Sequence, residues 1–181
     1  MSELLARPSE SEYASYYSGY VAAVEGNDVL AELRRRHAEA VATCRSISEE
    51  QSNTAYAPGK WTIKQLLSHV IDCERVFAYR ALRFSRGDET PIEGFDQDPY
   101  VENARLNDYP FASLVDEFDH LRASTIRMVE HIDETGWLAR GKANGVDISV
   151  RAIVFIVAGH EIHHANILRD RYLAAADSAA S

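Results

Sequence analysis

Leu114, Phe118, Leu121, Thr125, Met128 and Ile132 recur at spacings of 4, 3, 4, 3 and 4. That alternation is the apolar stripe of an amphipathic α-helix, and a strand of period two cannot produce it. It predicts a helix over 111–134, with Gly136 just past its end as a stop signal. Three more segments carry the same period. Leu30, Leu33, His37, Val41 and Cys44 mark a helix over 29–47. Leu66, His69, Val70, Cys73, Val76, Phe77 and Arg80 mark one over 62–85, with Thr62 and Gln65 as a capping box and Gly87 beyond the last turn. Ile153, Ile156, Val157, His160, His164, Ile167, Arg171 and Tyr172 mark one over 149–173. A shorter amphipathic piece covers 13–24. The fold class is therefore all-α, and four long amphipathic helices that each need a partner for one face make a four-helix bundle.

The links between these helices set their order. Segments 48–61 and 135–148 are short enough to join antiparallel neighbours, and Asn144-Gly145 in the second predicts a small β-ribbon over 141–148. The link 87–110 holds Pro91, Gly94, Pro99 and Pro110 and has no helical period. Extended, it reaches about 80 Å, whereas a helix of the same residue count is only about 36 Å long. It can carry the chain back along the whole bundle, so helices two and three run parallel and the order becomes up-down-down-up with one long crossover. Residues 1–28 form an N-terminal extension with a short helix, 29–174 the bundle, and 175–181 a frayed tail.

Composition excludes several classes. With 181 residues the chain is a single domain able to bury a core without disulfides. Its net charge of −9 lacks the basic face a general nucleic-acid binder needs. The longest apolar run, 153–159, is too short to span a bilayer. The opening MSELLARPSESEY lacks the basic start and apolar stretch of a signal peptide, and two cysteines make no disulfide framework, so a reducing cytoplasmic setting is expected.

Three of the seven histidines fall within five residues. His160 and His164, at i and i+4, share a helix face and can hold one divalent metal. A third ligand must come from another helix. His69 is the only histidine on the apolar stripe of helix two, seven residues from its predicted start. If helix four runs antiparallel to helix two, the same level falls near Asn166, beside His164. The alternative is that all three are core histidines bonded to neighbours. His163 lies 100° around the helix from His164, and His37, His120 and His131 lack paired spacing, so these four are bystanders. Cys73, one turn after His69, is a small buried hydrophobe or a further ligand. Asp72 and Glu161 flank the presumed ligands and are candidate catalytic groups, orienting an imidazole or acting as a base, or else residues of solvated faces. Trp61, Phe95 and Tyr100 are candidates to line a substrate opening. Arg80 shares the face of His69 about 16 Å further along, and pairs with a carboxylate or extends to solvent.

His160-Glu161-Ile162-His163-His164 also fits H-E-x-x-H, the zinc-metalloprotease signature, in which Glu161 would be catalytic. The rest of that pattern is missing: Ile167 and Asp170 stand where the extended form needs Gly and His, and no glutamate follows Glu161. A closed, non-catalytic metal site in a stress-response module is another alternative. It would require a fourth side-chain ligand, which only Cys73 or Asp72 could supply.

PGKWTIKQLLSHVIDCERVFAYR on helix two and AGHEIHHANILRDRYL on helix four resemble the DinB/YfiT-like group of metal-binding four-helix bundles, and the resemblance spans 30–173. The family pattern, one His on the second helix and H-x-x-x-H on the fourth, is matched by His69, His160 and His164. The resemblance implies a bound divalent metal, zinc or nickel, and often a homodimer. It implies a small-molecule enzyme, either a transferase using a low-molecular-weight thiol or a hydrolase.

Overall fold

The computed structural model describes residues 6–174, and the tail predicted at 175–181 lies outside them. The described chain orders itself as α1 (Ser18–Ala23), α2 (Val29–Arg45), α3 (Glu49–Ser52), α4 (Ile63–Ser85), α5 (Gln97–Asn103), α6 (Phe111–Glu130), α7 (Glu134–Leu138), strands β1 (Arg140–Ala143) and β2 (Val146–Ser149), and α8 (Val150–Ile167). A π-helical segment, Leu168–Leu173, continues α8. The predicted caps are in place at α4. Thr62 and Gln65 exchange side chain and backbone bonds at its start. At its end Gly87, at φ +77°, donates to the Phe84 carbonyl while Asp88 donates to that of Arg83, the paired bonds of a Schellman stop.

The long helices α2, α4, α6 and α8 form the bundle, with α2 and α4 each packed against both α6 and α8. Side-chain pairs fix the directions. Arg34 meets Glu130 and Arg45 meets Asp116, so α2 and α6 are antiparallel. Lys64 reaches the Tyr109 carbonyl and Arg75 reaches Glu117, so α4 and α6 are parallel. His69 meets His160 and the Tyr172 hydroxyl meets the Trp61 carbonyl, so α4 and α8 are antiparallel. The order is up-down-down-up, the arrangement the crossover length allows. Glu49 of α3 pins the parallel pair side by side: its carboxylate takes the buried Lys64 ammonium and, at 2.6 Å, the Phe111 amide that opens α6.

The third long helix and the crossover differ from the sequence expectation, and the first long helix ends at Arg45, two residues early. The third long helix ends at Glu130, not 134, because His131 and Ile132 bond back to Met128 and Val129 and Asp133 caps a new helix through the Gly136 amide. Gly136 thus lies inside α7, where an added Cβ would come within 3.0 Å of the Ser85 carbonyl oxygen. The crossover, expected to lack helix, contains α5, started by the Asp96 carboxylate on the Asp98 amide. Pro99 is tolerated there because it falls in the first turn. The ribbon forms as predicted, β1 pairing antiparallel with β2 around Asn144 and Gly145, both at positive φ.

Residues before the bundle lie along α8. The Glu12 carboxylate takes the Ser149 hydroxyl and the Arg151 guanidinium. The α1 backbone approaches α8 so closely that a Cβ on Gly159 would stand 1.9 Å from the Tyr20 carbonyl oxygen. The apolar core falls into two clusters, one gathering Leu33, Phe84, Ile153 and Ile156, the other Val41, Leu67, Val115 and Leu168. Beside them is a buried polar trio no stripe announced: Arg122 of α6, Glu74 of α4 and Glu161 of α8.

Candidate metal centre

The antiparallel packing of α4 on α8 brings His69 opposite His160 and His164. Their ligand nitrogens form the group of three metal-binding side chains found among the described residues, all within 4.8 Å of one another. The His160 Nε2 stands 3.1 Å from the Nε2 of His69 and 3.1 Å from that of His164. His69 and His160 are buried, and His164 is partly open. Burial holds the His69 ring down to about 4, opposed by the charge of Asp98. Burial, then the other imidazoles, hold His160 down to about 3 and His164 down to about 2. All three rings are neutral at pH 7, each with one free lone pair.

This arrangement fits a cation better than a hydrogen-bond network. A neutral His160 Nε2 carries either one proton or one lone pair, so it can serve only one of the two nitrogens facing it. The His164 Nδ1 is also buried without a partner. Zinc–nitrogen bonds of about 2.0–2.1 Å in a tetrahedron place ligand nitrogens roughly 3.3 Å apart, close to the spacing here. Three protein nitrogens leave a position free, as catalytic zinc sites do.

The surrounding residues position these rings. Trp61, held through its carbonyl by the Tyr172 hydroxyl, lies with its ring 4.9 Å from that of His69. Tyr20 of α1 packs edge-on against His160 at 5.4 Å and against His163 at 5.5 Å. His163 is exposed, as its angular position predicted. The Cys73 Sγ is buried 3.6 Å from the His69 Nδ1, and burial pushes its thiol up to about 12.

The two carboxylates proposed from sequence go elsewhere. Glu161 is buried and turned onto Arg122, which also forks onto Glu74 with both bonds at 2.9 Å. Asp72 is partly buried beside Arg75 at 3.6 Å and lines a separate cleft with Tyr100. Neither belongs to the histidine group. A metalloprotease would need Glu161 on the metal side of α8, and its bond to Arg122 removes that arrangement. Arg80 also departs from expectation: it neither reaches solvent nor meets a carboxylate, but is buried beside a cavity shared with His160 and Phe95. Sequence reasoning missed Arg122 and Glu74 altogether, and missed Asp98, whose charge acts on His69 from the crossover.

Bundle order and histidine centre together define a four-helix-bundle protein with a three-nitrogen centre between its second and fourth long helices. Residues 32–168 match the profile of the DinB superfamily, and the chain belongs to that family. A relative from Oceanobacillus iheyensis, provisionally named a metal-dependent hydrolase, is 27% identical over 127 residues, covering 67% of this chain and 70% of the relative. A Bacillus pumilus protein of the same provisional name is 36% identical over 76 residues, 41% of each chain. Among solved structures, the chain superposes on YfiT from Bacillus subtilis with a TM-score of 0.69 at 17% identity, covering 93% of both chains. That structure is described as a probable metal-dependent hydrolase with an unusual four-helix bundle topology. The likeness shows the fold.

Proposed function

We propose that this protein is a metal-dependent hydrolase of a small molecule, with His69, His160 and His164 holding a divalent cation, zinc or nickel. One observation carries this: three neutral imidazole nitrogens meet at 3.1 Å spacings that hydrogen bonds alone cannot satisfy. The provisional names of the two relatives support it. His69, His160 and His164 would hold the cation without adding negative charge, so it would retain a net positive charge and would supply Lewis-acid activation of water near neutral pH.

The chain's own residues do the rest. Trp61 and Tyr20 fix the planes of His69 and His160. The Tyr20 hydroxyl, pushed up to about 12 chiefly by burial, stays protonated and can donate to a substrate oxygen. The Cys73 thiol likewise stays protonated and neutral beside the ligands. A low-molecular-weight thiol could take the same open position as water, which would make the protein a transferase, so the substrate screen needs both arms.

The test begins with protein purified without a nickel column and reconstituted with zinc or nickel. About one metal per chain is expected, and below about 0.2 the proposal fails. His160→Ala should weaken metal affinity at least about 100-fold, while Glu161→Gln should leave it within about threefold. Equal affinity in His160→Ala overturns the ligand assignment. An ester and amide panel, run with and without cellular thiols, then separates hydrolysis from thiol transfer.

A further inference from the structure

A cavity of about 320 Å³ connects the histidine centre to the far half of α4. His160 and Cys73 line one part of it, and Tyr17, Phe77, Arg80 and Phe95 line the rest. Arg80 is only 3% exposed. Its Nη2 makes one long bond, 3.4 Å, to the Glu93 carbonyl, and its guanidinium carbon lies 5.4 Å from the centre of the Phe77 ring. The Tyr17 hydroxyl is beside it. The Nε is buried with no partner. Among the described residues no carboxylate forms an ion pair with Arg80. The one carboxylate lining the cavity, Asp96, is turned onto the Asp98 amide as the cap of α5.

A buried guanidinium with unmatched donors is costly unless an anion completes it. The Nε and Nη2 of an arginine form a planar edge that matches two oxygens of a carboxylate or phosphate. Here that edge holds one unpartnered donor and one weakly held donor. The other arginine buried among the described residues, Arg122, spends its donors on two carboxylates.

We propose that Arg80, with Tyr17, forms an oxyanion subsite in this cavity, and that the small molecule the protein acts on carries a carboxylate or phosphate group seated there. The orientation of that molecule rests on the metal reading of the histidines. Cys73, whose Sγ touches His69, lies on the order of 10 Å before Arg80 along the helix, so the anionic group sits at the end of the cavity away from the histidines.

The test uses the full chain, both metal-free and zinc-loaded, with three probes: butanoate, inorganic phosphate, and the neutral isostere butanamide. In the metal-free protein, titration with butanoate or phosphate should shift the Arg80 Nε–H resonance saturably, and butanamide should not. The tighter of the two anions identifies the group. Arg80→Met should raise the dissociation constant of that anion at least about 20-fold, and Arg80→Lys should raise it less. If Arg80→Met fails to fold, the resonance titration of the unmodified chain decides. The proposal is overturned if neither anion binds saturably, if an anion saturates without moving the Arg80 resonance, or if Arg80→Met binds as tightly as the parent. Loss of zinc binding with anion binding intact sinks the metal reading alone. Zinc binding without anion binding sinks this proposal alone.

Discussion

Replacing Arg122 with methionine should destabilise the protein strongly and in a pH-dependent way. Arg122, Glu74 and Glu161 are 1%, 3% and 3% exposed, so no solvent screens them. One cation serves two carboxylates, and the Glu161 Oε1 has no partner. Burial therefore pushes Glu161 up to about 7 even with Arg122 in contact. Against its ordinary 4.5, holding it ionised at pH 8 already costs about 3 kcal/mol. Arg122→Met leaves both carboxylates without a counter-ion, a further loss of about 3–5 kcal/mol. At about 2–4 °C per kcal/mol the melting temperature should fall by roughly 10 °C. In the variant Glu161, without the Arg122 charge that opposes its burial, binds its proton still more tightly when folded than when unfolded. Stability then decreases as pH rises, and the deficit at pH 5 should be about half that at pH 8. Urea denaturation of the metal-free protein, followed by helical circular dichroism at both pH values, measures this. A deficit below about 1 kcal/mol at pH 8, or one independent of pH, refutes the account.

Two further outcomes follow from the same structure. Gly159→Ala should cost about 1–3 kcal/mol, because its Cβ would meet the Tyr20 backbone oxygen at 1.9 Å and push α1 off α8; an unchanged urea midpoint counts against that contact. The metal-free chain should lose stability as pH falls below 6.5, because unfolded histidines take up protons that His69 refuses until about 4 and His160 until about 3. Each of these two buried rings subtracts about 2 kcal/mol by pH 5, while Glu161, raised to about 7, works the other way. The clean comparison is His160→Gln, whose stability should drop by about 2 kcal/mol less than the parent's between pH 7 and 5; identical slopes contradict the depressed histidine.

The bundle was legible because its signals are local and redundant. The Thr62–Gln65 box, the Gly87 stop and the Asn144-Gly145 turn each act within a few residues. The crossover had only to be long enough to make α4 and α6 parallel. The third helix was overrun because Ile132 continues its apolar stripe: periodicity marks which face is buried, not where the backbone turns. Helix α5 escaped because it is stabilised by a cap and carries no stripe; of its residues only Val101 is buried.

The candidate site divides along the same line. His69 could be matched to His164 by counting levels, since helix rise is uniform and both lie on apolar stripes. Glu161 and Arg122 could not, because charged side chains in a sequence signal solvent unless their partners are known, and the partners here sit on three different helices. The residue next to His160 is turned onto Arg122 because successive positions on α8 diverge by about 100°, so one faces α4 while the next faces α6. H-E-x-x-H spacing is therefore compatible with two unlike surroundings, and the element behind the glutamate decides between them. In this chain that element is α6, and it presents an arginine.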